Sequence, residues 1–417
     1  MTAAPQAGAA SARACSLAGR HVVLGVTGSI AAYKAAELLR MLTRNGAEAQ
    51  PVMTQGATHF LGPLTLATLA GRETFVEMFA RDDADIRHIA LARWADIAVV
   101  APATADFLGK YRSGIVDDVL LNLLLALPSQ RVPVVVAPAM NDEMFAHPAV
   151  QENLETLARR GVFVVPPEHG ELACKTIGPG RLADLARIVQ HCERALCAAS
   201  SAADFRGRRV VVTAGPTRQY LDPVRFLSNP STGRMGAAVA RAAWTRGADV
   251  SVVAGPMDRA LLPADVATVF VESVQDMLEA VRAAMSADAM LVMTAAVGDF
   301  APPRAPEKIK KTGQVRTLEL LPTPDILTAV RAQHPRATLA GFAAETSDVC
   351  ARAREKLVRK KLDVIVGNRV GVADSGFAGP TTDAVLIDRT GWEQDVGAVE
   401  KTALAHLILD RLRELAP

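Results

Sequence analysis

The stretch His21-Val-Val-Leu-Gly-Val26-Thr-Gly28-Ser29-Ile-Ala-Ala-Tyr-Lys34 decides the fold of the first half of the chain. An apolar, β-branched run passes through a glycine turn into a segment, Ile30–Arg44, whose apolar residues recur at helical spacing. Strands buried in parallel sheets have this composition, and a helix directly after such a strand is typical of a β-α-β unit. Asn45-Gly46 is a suitable stop for the helix. The stretch therefore predicts an open parallel sheet covered by helices.

The same alternation of strand and helix continues almost to the C-terminus. The first half predicts further strands at Glu48–Met53, Ile97–Ala101, Val132–Ala137 and Val162–Val165, and a closing helix at Leu182–Cys197. The second half predicts strands at Arg208–Thr213, Val250–Ala254, Met290–Thr294, Thr338–Gly341, Val364–Val366 and Ala384–Ile387, with helices at Arg234–Arg246, Val274–Met285, Ser347–Lys360 and Lys401–Leu415. The sequence thus predicts an α/β protein with two doubly wound, Rossmann-like parallel-sheet domains.

Composition places the domain boundaries. Residues 1–18 are rich in Ala, Ser and Gly and contain no continuous apolar segment, so we expect a flexible tail and not a signal peptide. The first domain is expected at 19–197 and the second at 208–417. Between them, the small residues that begin 198–207 predict a linker.

Overall composition excludes several classes of protein. Half of the 417 residues are hydrophobic, which excludes a disordered chain. The 46 basic and 44 acidic residues nearly cancel, so charge indicates neither a nucleic-acid nor a membrane-surface partner. No apolar run is long enough to span a bilayer. The five cysteines form an odd set without zinc-like spacing, which indicates a reducing cytosol.

Four positions in the first half are candidates for chemistry. Gly28-Ser29 lies where a helix N-terminus can bind phosphate, although a tight turn without a ligand explains it too. His88 stands among apolar residues and is either structural or catalytic. Asn141 can hold a substrate carboxylate or cap a helix. Cys174 beside Lys175 is an acid or a nucleophile, or an inert buried thiol.

Metal sites are weakly indicated. Asp117-Asp118 could be a metal pair, but a helix cap is the commoner role of such an aspartate. The group Glu168, His169, Glu171 and Cys174 has a spacing that matches no common metal site.

The second half contains a composition typical of phosphate binding. Thr213–Arg218 and Ser228–Gly236 put Gly, Ser, Thr, Asn and Arg between a strand and its helix. Lys308-Ile-Lys-Lys311, in a proline-rich stretch, either clamps a triphosphate or is a solvated loop.

Four of these motifs together resemble one family. They are Gly28–Lys34, Pro138–Met144, Ser228–Gly236 and Lys308–Lys311. The resemblance is to bifunctional coenzyme A biosynthesis proteins, which combine phosphopantothenoylcysteine decarboxylase with phosphopantothenate–cysteine ligase, and it extends from Gly19 to the C-terminus.

For the first half, the resemblance implies an FMN-dependent decarboxylase that converts 4′-phospho-N-pantothenoylcysteine to 4′-phosphopantetheine. FMN would supply the electron sink that a saturated carboxylate lacks. The implied FMN-binding residues are Gly28, Ser29, Thr54, Pro102, Ala103 and Thr104. The implied catalytic and substrate-binding residues are His88 as base, Asn141 and Met144 at the substrate, and Cys174 as proton donor.

For the second half, the resemblance implies a ligase that activates 4′-phosphopantothenate with CTP as an acyl-cytidylate, which the amine of cysteine then attacks. Asn229 and Arg225 would contact the substrate, and Asn229 and Lys308 would be catalytic. The implied CTP-binding residues are Met293, Thr294, Ala295, Asp299, Lys308, Pro324, Asp325, Ile326, Leu327, Phe342, Lys356 and Lys360. Mg²⁺ would be held mainly by the CTP phosphates.

Two departures from the family pattern concern the segment around Cys174. Lys175 stands where the family commonly has Gly, and Leu182 replaces a common Met, which leaves the local conformation open. The resemblance also implies a homo-oligomer with trimeric flavin domains and dimeric ligase domains. Two alternatives stay open. The first is a non-catalytic regulatory flavoprotein, which should lack His88 or Cys174. The second is a flavin-dependent reductase fused to a nucleotide-binding domain, which leaves Ser228–Gly236 and Lys308–Lys311 unexplained.

Overall fold

A computed structural model describes residues 14–78, 87–311, 313, 315–370 and 379–416. These residues fall into two compact units, one within Arg13–Ala203 and one within Asp204–Pro417. Each unit is an α/β structure with a central sheet, as the sequence predicts.

The first unit contains a five-stranded parallel sheet. Its strands are β1 (His21–Val26), β2 (Glu48–Met53), β3 (Ile97–Ala103), β4 (Val134–Pro138) and β5 (Phe163–Val164), in the order β2-β1-β3-β4-β5. A separate antiparallel hairpin is formed by β6 (Glu168–Glu171) and β7 (Ile177–Arg181). The helices are α1 (Lys34–Arg44), α2 (Pro63–Ala70), α3 (Arg87–Trp94), α4 (Ala105–Ser113), α5 (Val119–Ala126), α6 (Asp142–Ala146), α7 (Pro148–Arg159) and α8 (Leu185–Ala199).

Burial on both faces explains why β1 reads as a continuous apolar run. Leu24 packs into the cluster that contains Leu38 of α1, whereas Val23 packs into the cluster on the opposite face of the sheet. Gly25, the next residue of β1, packs closely against this layer, because a Cβ there would lie 2.7 Å from a methyl carbon of Leu120. The predicted bounds of β1 and β2 agree with the structure.

Two local features of the first unit differ from expectation. The predicted helix from Ile30 begins as a 3₁₀ turn, Ile30–Tyr33, and becomes α-helical only at Lys34. Cys15 and Cys197 form a disulfide, with their Cα atoms 4.3 Å apart, although the cysteine count indicated a reducing compartment. The thiols of Cys174, Cys192 and Cys350 are free.

The second unit is built on an eight-stranded sheet. Its strands are β8 (Arg209–Ala214), β11 (Asp249–Ala254), β12 (Ala267–Phe270), β13 (Met290–Met293), β16 (Thr338–Glu345), β17 (Val364–Arg369), β18 (Thr381–Asp388) and β19 (Glu393–Glu400), in the order β12-β11-β8-β13-β16-β17-β18-β19. Two small hairpins accompany it, β9 (Arg218–Tyr220) with β10 (Phe226–Ser228) and β14 (Phe300–Ala301) with β15 (Leu321–Pro322). The helices are α9 (Arg234–Thr245), α10 (Val274–Ala284), α11 (Ile326–Gln333), α12 (Val349–Arg359) and α13 (Lys401–Leu415).

This second sheet is not parallel throughout, which corrects the sequence prediction. β18 pairs antiparallel with both β17 and β19. The sequence indicates only the middle of β18, and it gives no sign of β19 because Glu393–Glu400 begins with three polar residues and continues through a glycine without apolar alternation. In the structure its residues are alternately exposed and half-buried along most of the strand, which suits an edge strand with one solvated face. Within the described residues, no helix is long and apolar enough to cross a membrane.

Candidate active sites

Three hydroxyl side chains lie at the carboxyl edge of the first sheet. Ser29, Thr54 and Thr104 follow β1, β2 and β3, and each accepts a backbone N–H as the N-cap of the next turn or helix. Gly28 lies so close to Gly56 that a Cβ would be 3.0 Å from the Gly56 carbonyl carbon. This edge presents backbone N–H groups, hydroxyls and a close backbone approach, which together suit a phosphate-containing ligand.

Thr27 joins two of these loops and was missed by sequence reasoning. It is 1% exposed, its hydroxyl donates to the Pro102 carbonyl at 2.7 Å, and it accepts the Thr104 N–H at 3.1 Å. The predicted segment Pro102–Thr104 is therefore fixed to the end of β1. A buried threonine within an apolar run gives little indication of this role before its partners are known.

Asn141 and Cys174 are in direct contact. The Asn141 carbonyl oxygen accepts the Glu143 N–H at 2.9 Å as the N-cap of α6, while its amide donates to Cys174 Sγ at 3.3 Å. The helix-cap interpretation of Asn141 is therefore confirmed, and the other end of the same amide meets the thiol. Met144, which follows on α6, is exposed.

Cys174 lies at the tip of the β6–β7 hairpin, here called the flap (residues 168–181). Lys175 has φ 66°, in the left-handed region, and Leu172 and Lys175 close the turn by a hydrogen bond of 2.8 Å. A glycine takes this conformation without cost, which explains why a residue other than Gly at position 175 is unusual. The turn of the flap nevertheless forms with lysine at this position.

The thiol of Cys174 is exposed and has polar neighbours. The Thr176 hydroxyl lies 3.1 Å from both Cys174 Sγ and a carboxylate oxygen of Asp142. Hydrogen bonds from the side chain and backbone of Thr176, and then from Asn141, lower the pKa of Cys174 below its usual value. The inert, buried interpretation of Cys174 is therefore wrong. Thr176 is a further residue that sequence reasoning missed.

His88 lies in the first turn of α3, the helix that leads into β3. Among the described residues, no hydrogen bond joins its ring to Asn141 or Cys174. Asp118 accepts the Leu121 N–H at 2.8 Å as the N-cap of α5, which confirms the helix-cap interpretation. No group of metal-ligating side chains occurs among the described residues.

In the second unit, a cavity of about 660 Å³ opens at the carboxyl edge of the sheet. It is lined by the following residues of the predicted ligase site: Asn229, Met293, Thr294, Ala295, Asp299, Pro324, Asp325, Ile326, Leu327, Phe342, Lys356 and Lys360. Residues from several separate segments of sequence therefore meet in one cavity of a size that accommodates a nucleotide.

One wall of the cavity is the start of α9. Gly236 packs so tightly that a Cβ there would lie 2.5 Å from the Ala214 Cβ of β8, which brings the helix N-terminus against the strand end. Asn229 precedes this helix, and its amide donates to the carbonyls of Ala296 and Val297, each at 3.2 Å. A helix N-terminus in this position favours anions.

The opposite wall carries two lysines: Lys356 lies on α12, and Lys360 directly follows this helix. Lys356 donates to the Phe342 carbonyl at 2.7 Å, and burial, followed by the nearby Lys360, lowers the pKa of Lys356. Lys360 pairs with Asp325 at 3.2 Å. Burial acts to raise the pKa of Asp325, but hydrogen bonds from Thr328 and the charge of Lys360 outweigh it and lower that pKa. The cavity also includes Arg234, Asn368, Thr382 and Lys401, which sequence reasoning did not select.

Lys308 and Arg225 are not among the residues that line this cavity. Lys308 is exposed in the long loop between β14 and β15. The Arg225 guanidinium bonds to Asp222 and to the Ile309 carbonyl, so its contacts are to the protein itself.

Two family models match the chain. Residues 11–196 match the model described as Flavoprotein, and residues 205–415 match the model of the DNA/pantothenate metabolism flavoprotein C-terminal domain. The two matched ranges each fall almost wholly within one of the two structural units.

Relatives also match almost the whole chain. The chain is 41% identical over 404 residues to the coenzyme A biosynthesis bifunctional protein CoaBC of Vibrio cholerae, covering 96% of this chain and 99% of that protein. It is 40% identical over 399 residues to the protein of the same name from Bacillus subtilis, covering 95% and 97%. A crystal structure of the C-terminal domain of CoaBC is 35% identical and covers 51% of this chain and 97% of that one, with a TM-score of 0.44.

Proposed function

The chain belongs to the family of coenzyme A biosynthesis bifunctional proteins, and we propose that its two units catalyse two successive reactions. The second unit joins cysteine to 4′-phosphopantothenate at the expense of CTP. The first unit decarboxylates the resulting 4′-phospho-N-pantothenoylcysteine to 4′-phosphopantetheine, with FMN as cofactor. The observation that carries the ligase assignment is the cavity of about 660 Å³ at the start of α9.

The ligase reaction requires a site for a triphosphate beside a site for a carboxylate. The carboxylate of phosphopantothenate attacks the α-phosphorus of CTP and releases pyrophosphate, and the amine of cysteine then attacks the acyl carbon and releases CMP. The N-terminus of α9 and the ammonium groups of Lys356 and Lys360 offer positive charge to the phosphates. Asn229, fixed by Ala296 and Val297, is our choice for the acyl centre. Mg²⁺ would accompany the CTP phosphates.

The carboxyl edge of the first sheet fits FMN by its chemistry. Its capping hydroxyls and the close pair Gly28 and Gly56 leave backbone N–H groups accessible to a phosphate. We propose that Gly28, Ser29, Thr54 and Pro102–Thr104 hold the cofactor. When bound, FMN supplies the two-electron oxidation that makes loss of CO₂ feasible.

The side chains of the first unit would handle protons and the substrate carboxylate. Cys174 is accessible, its thiol is more acidic than usual, and it contacts Asn141, so it is suited to give a proton to the product carbon while Asn141 binds the carboxylate. His88 is our candidate base. These assignments rest on the family resemblance together with the Asn141–Cys174 contact.

The test is a spectrum of the purified full-length protein followed by a ligation assay. We expect a yellow protein with a flavin spectrum that converts phosphopantothenate and cysteine to phosphopantothenoylcysteine only when CTP is added, and then releases CO₂. A colourless protein would contradict the flavin assignment, and CTP-independent or absent ligation would contradict the ligase assignment. Because the two readouts are separate, either half of the proposal can fail alone.

A further inference from the structure

Asp222 is a buried charge to which the proposed reaction assigns no role. It lies in the turn of the β9–β10 hairpin, and its side chain is 0% exposed. An ionised carboxylate removed from water is costly unless hydrogen bonds and an opposite charge compensate it. The partners of Asp222 therefore show what this buried charge holds in place.

The carboxylate of Asp222 accepts hydrogen bonds at both oxygens. Oδ1 accepts the N–H groups of Val224 at 2.8 Å and Arg225 at 2.9 Å. Oδ2 accepts the Arg225 guanidinium, with its Nε at 2.9 Å, and also the N–H of Ile309 at 3.1 Å. Burial acts to raise the pKa of Asp222, but these hydrogen bonds outweigh it and hold the pKa well below its usual range. Asp222 is thus a fixed negative charge at neutral pH.

Both polar groups of Ile309 are held by the same pair of residues. While Asp222 accepts its N–H, the Arg225 guanidinium donates to its carbonyl oxygen. Ile309 lies between Lys308 and Lys310 in the loop of residues 302–320, here called the lysine loop. A further hydrogen bond joins the Ala305 N–H of this loop to the Leu221 carbonyl at 2.8 Å. The turn of one hairpin thus anchors the loop of the other.

The lysine side chains remain available in this arrangement. Lys308, Lys310 and Lys311 are exposed, and the charge of Asp222 is compensated by Arg225 instead of by a lysine. The anchor acts on the backbone alone. It therefore holds the backbone that carries the lysines without neutralising their charges.

We propose that Asp222 is a positioning residue for the ligation reaction, which with Arg225 fixes the backbone at Ile309 and so holds the lysine loop beside the cavity, whose lining residues Asp299 and Pro324 flank the loop, within reach of the phosphates of CTP. This inference rests on the proposed function of Lys308. Pre-aligned charges stabilise a transition state without reorganisation during the reaction, so a loosened loop loses catalysis even when every lysine is present.

The test measures loop release and kinetics on the full-length protein. Asp222→Asn replaces one acceptor oxygen by an amide and removes the charge. Ile309→Pro removes the N–H that Asp222 accepts while it leaves Asp222 and Arg225 in place, and it decides the question if Asp222→Asn does not fold. Asp276→Asn and Val315→Pro are the matched controls, because Asp276 is an exposed capping residue of α10 and the Val315 side chain is 98% exposed in the same loop.

The first readout is limited trypsin digestion, scored at the bonds after Lys310 and Lys311 because proline at 309 blocks cleavage after Lys308. Losing charge-assisted bonds to a buried carboxylate typically changes a local equilibrium by roughly tenfold or more, so both variants should be cut about tenfold faster than wild type and the controls should not. Cleavage at the wild-type rate in both variants would overturn the anchor.

The second readout is the apparent KM for CTP. We expect it to rise roughly tenfold in both variants while the KM for cysteine is unchanged, since the lysine loop is assigned to the nucleotide. A merely structural loss of folded protein would lower kcat and leave KM for CTP unchanged. Faster cleavage with unchanged CTP kinetics would show that Asp222 anchors the lysine loop but that the loop does not serve CTP. That result would overturn the positioning role, because the proposed function of Lys308, on which it rests, would have failed.

Discussion

The flap and the lysine loop are both hairpin connections, yet they are held in different ways. Cys174 on the flap has partners close to it in sequence, Thr176 two residues on and Asn141 33 residues before, and all these hydrogen bonds are exposed. The lysine loop is held at Ile309 by the fully buried Asp222, 87 residues earlier. The contacts of Cys174 concern a single side-chain atom, whereas the Asp222 contacts concern the path of the backbone.

This difference indicates what each region can control. Water competes for exposed hydrogen bonds, so those around Cys174 contribute little to position and act mainly on the acidity of its thiol. A buried carboxylate with several partners is costly to disrupt, so Asp222 contributes to geometry. Changes on the flap should therefore alter one proton-transfer step, and changes at the base of the lysine loop should alter nucleotide use.

Cys174→Ser should produce the largest effect on the flap. If the thiol is the proton donor, CO₂ should still be released in a first turnover, but the saturated thiol product should form about 10²–10⁴-fold more slowly, the usual contribution of a positioned acid. Mass spectrometry of the product distinguishes the oxidised enethiol from 4′-phosphopantetheine. Cys350→Ser, in the other unit, is the control. Normal saturated product from Cys174→Ser would refute the assignment.

Lys308→Gln should have the next largest effect, and only on ligation. In the proposed reaction the change removes a positive charge assigned to the developing phosphate charge, and losing one such pre-aligned contact typically costs about 10²–10³ in rate. Decarboxylation of supplied phosphopantothenoylcysteine should be unaffected. The measurement is CMP release at saturating CTP. Ligation at the wild-type rate would contradict this role and would favour the alternative that Lys308–Lys311 is a solvated loop.

Thr176→Val should have a smaller effect that depends on pH. Hydrogen bonds from Thr176 lower the pKa of Cys174, so removing its hydroxyl should raise that pKa toward the ordinary value and leave less thiolate at neutral pH. The rate of iodoacetamide labelling at Cys174, followed by peptide mapping, should have a pH midpoint above that of wild type. Thr176→Ser should keep the wild-type midpoint. An unchanged midpoint in Thr176→Val would show that the hydroxyl does not act on the sulfur.

Lys175→Gly should have the smallest effect, and a stabilising one. A residue other than Gly in the left-handed region costs about 1–2 kcal/mol, part of which glycine loses again through its greater freedom in the unfolded chain. We expect a gain of about 1 kcal/mol or less in the free energy of unfolding of the first unit, measured by urea titration. Lys175→Ala keeps the strain and should give no gain. A destabilised Lys175→Gly would show that lysine makes contacts that compensate its backbone.

The sequence predicts the elements whose signal is local. The β-branched runs of β1 and β2 predict their bounds correctly, and the lining of the ligase cavity follows from motifs that the family shares. The sequence does not predict β19, whose polar start and internal glycine resemble a surface loop until β18 lies beside it. Asp222 was missed for a similar reason, because an aspartate before a proline is typical of a turn and its distant partner at Ile309 is visible only in the fold.

The central claim is that two α/β units carry separate chemistry in one chain, and the isolated second unit tests it most directly. The fragment should begin at Ala203, because Asp204 pairs with the fully buried Arg246 at 2.7 Å and a start at the sequence-predicted boundary of 208 would remove that partner. A fragment of this size buries roughly 70% of the surface of its unfolded chain, which suffices for an independent core. We predict that 203–417, expressed alone, is colourless and forms phosphopantothenoylcysteine from phosphopantothenate and cysteine at the expense of CTP. A folded fragment that cannot ligate while the full chain can would contradict the account, because the two units would then have to share a site.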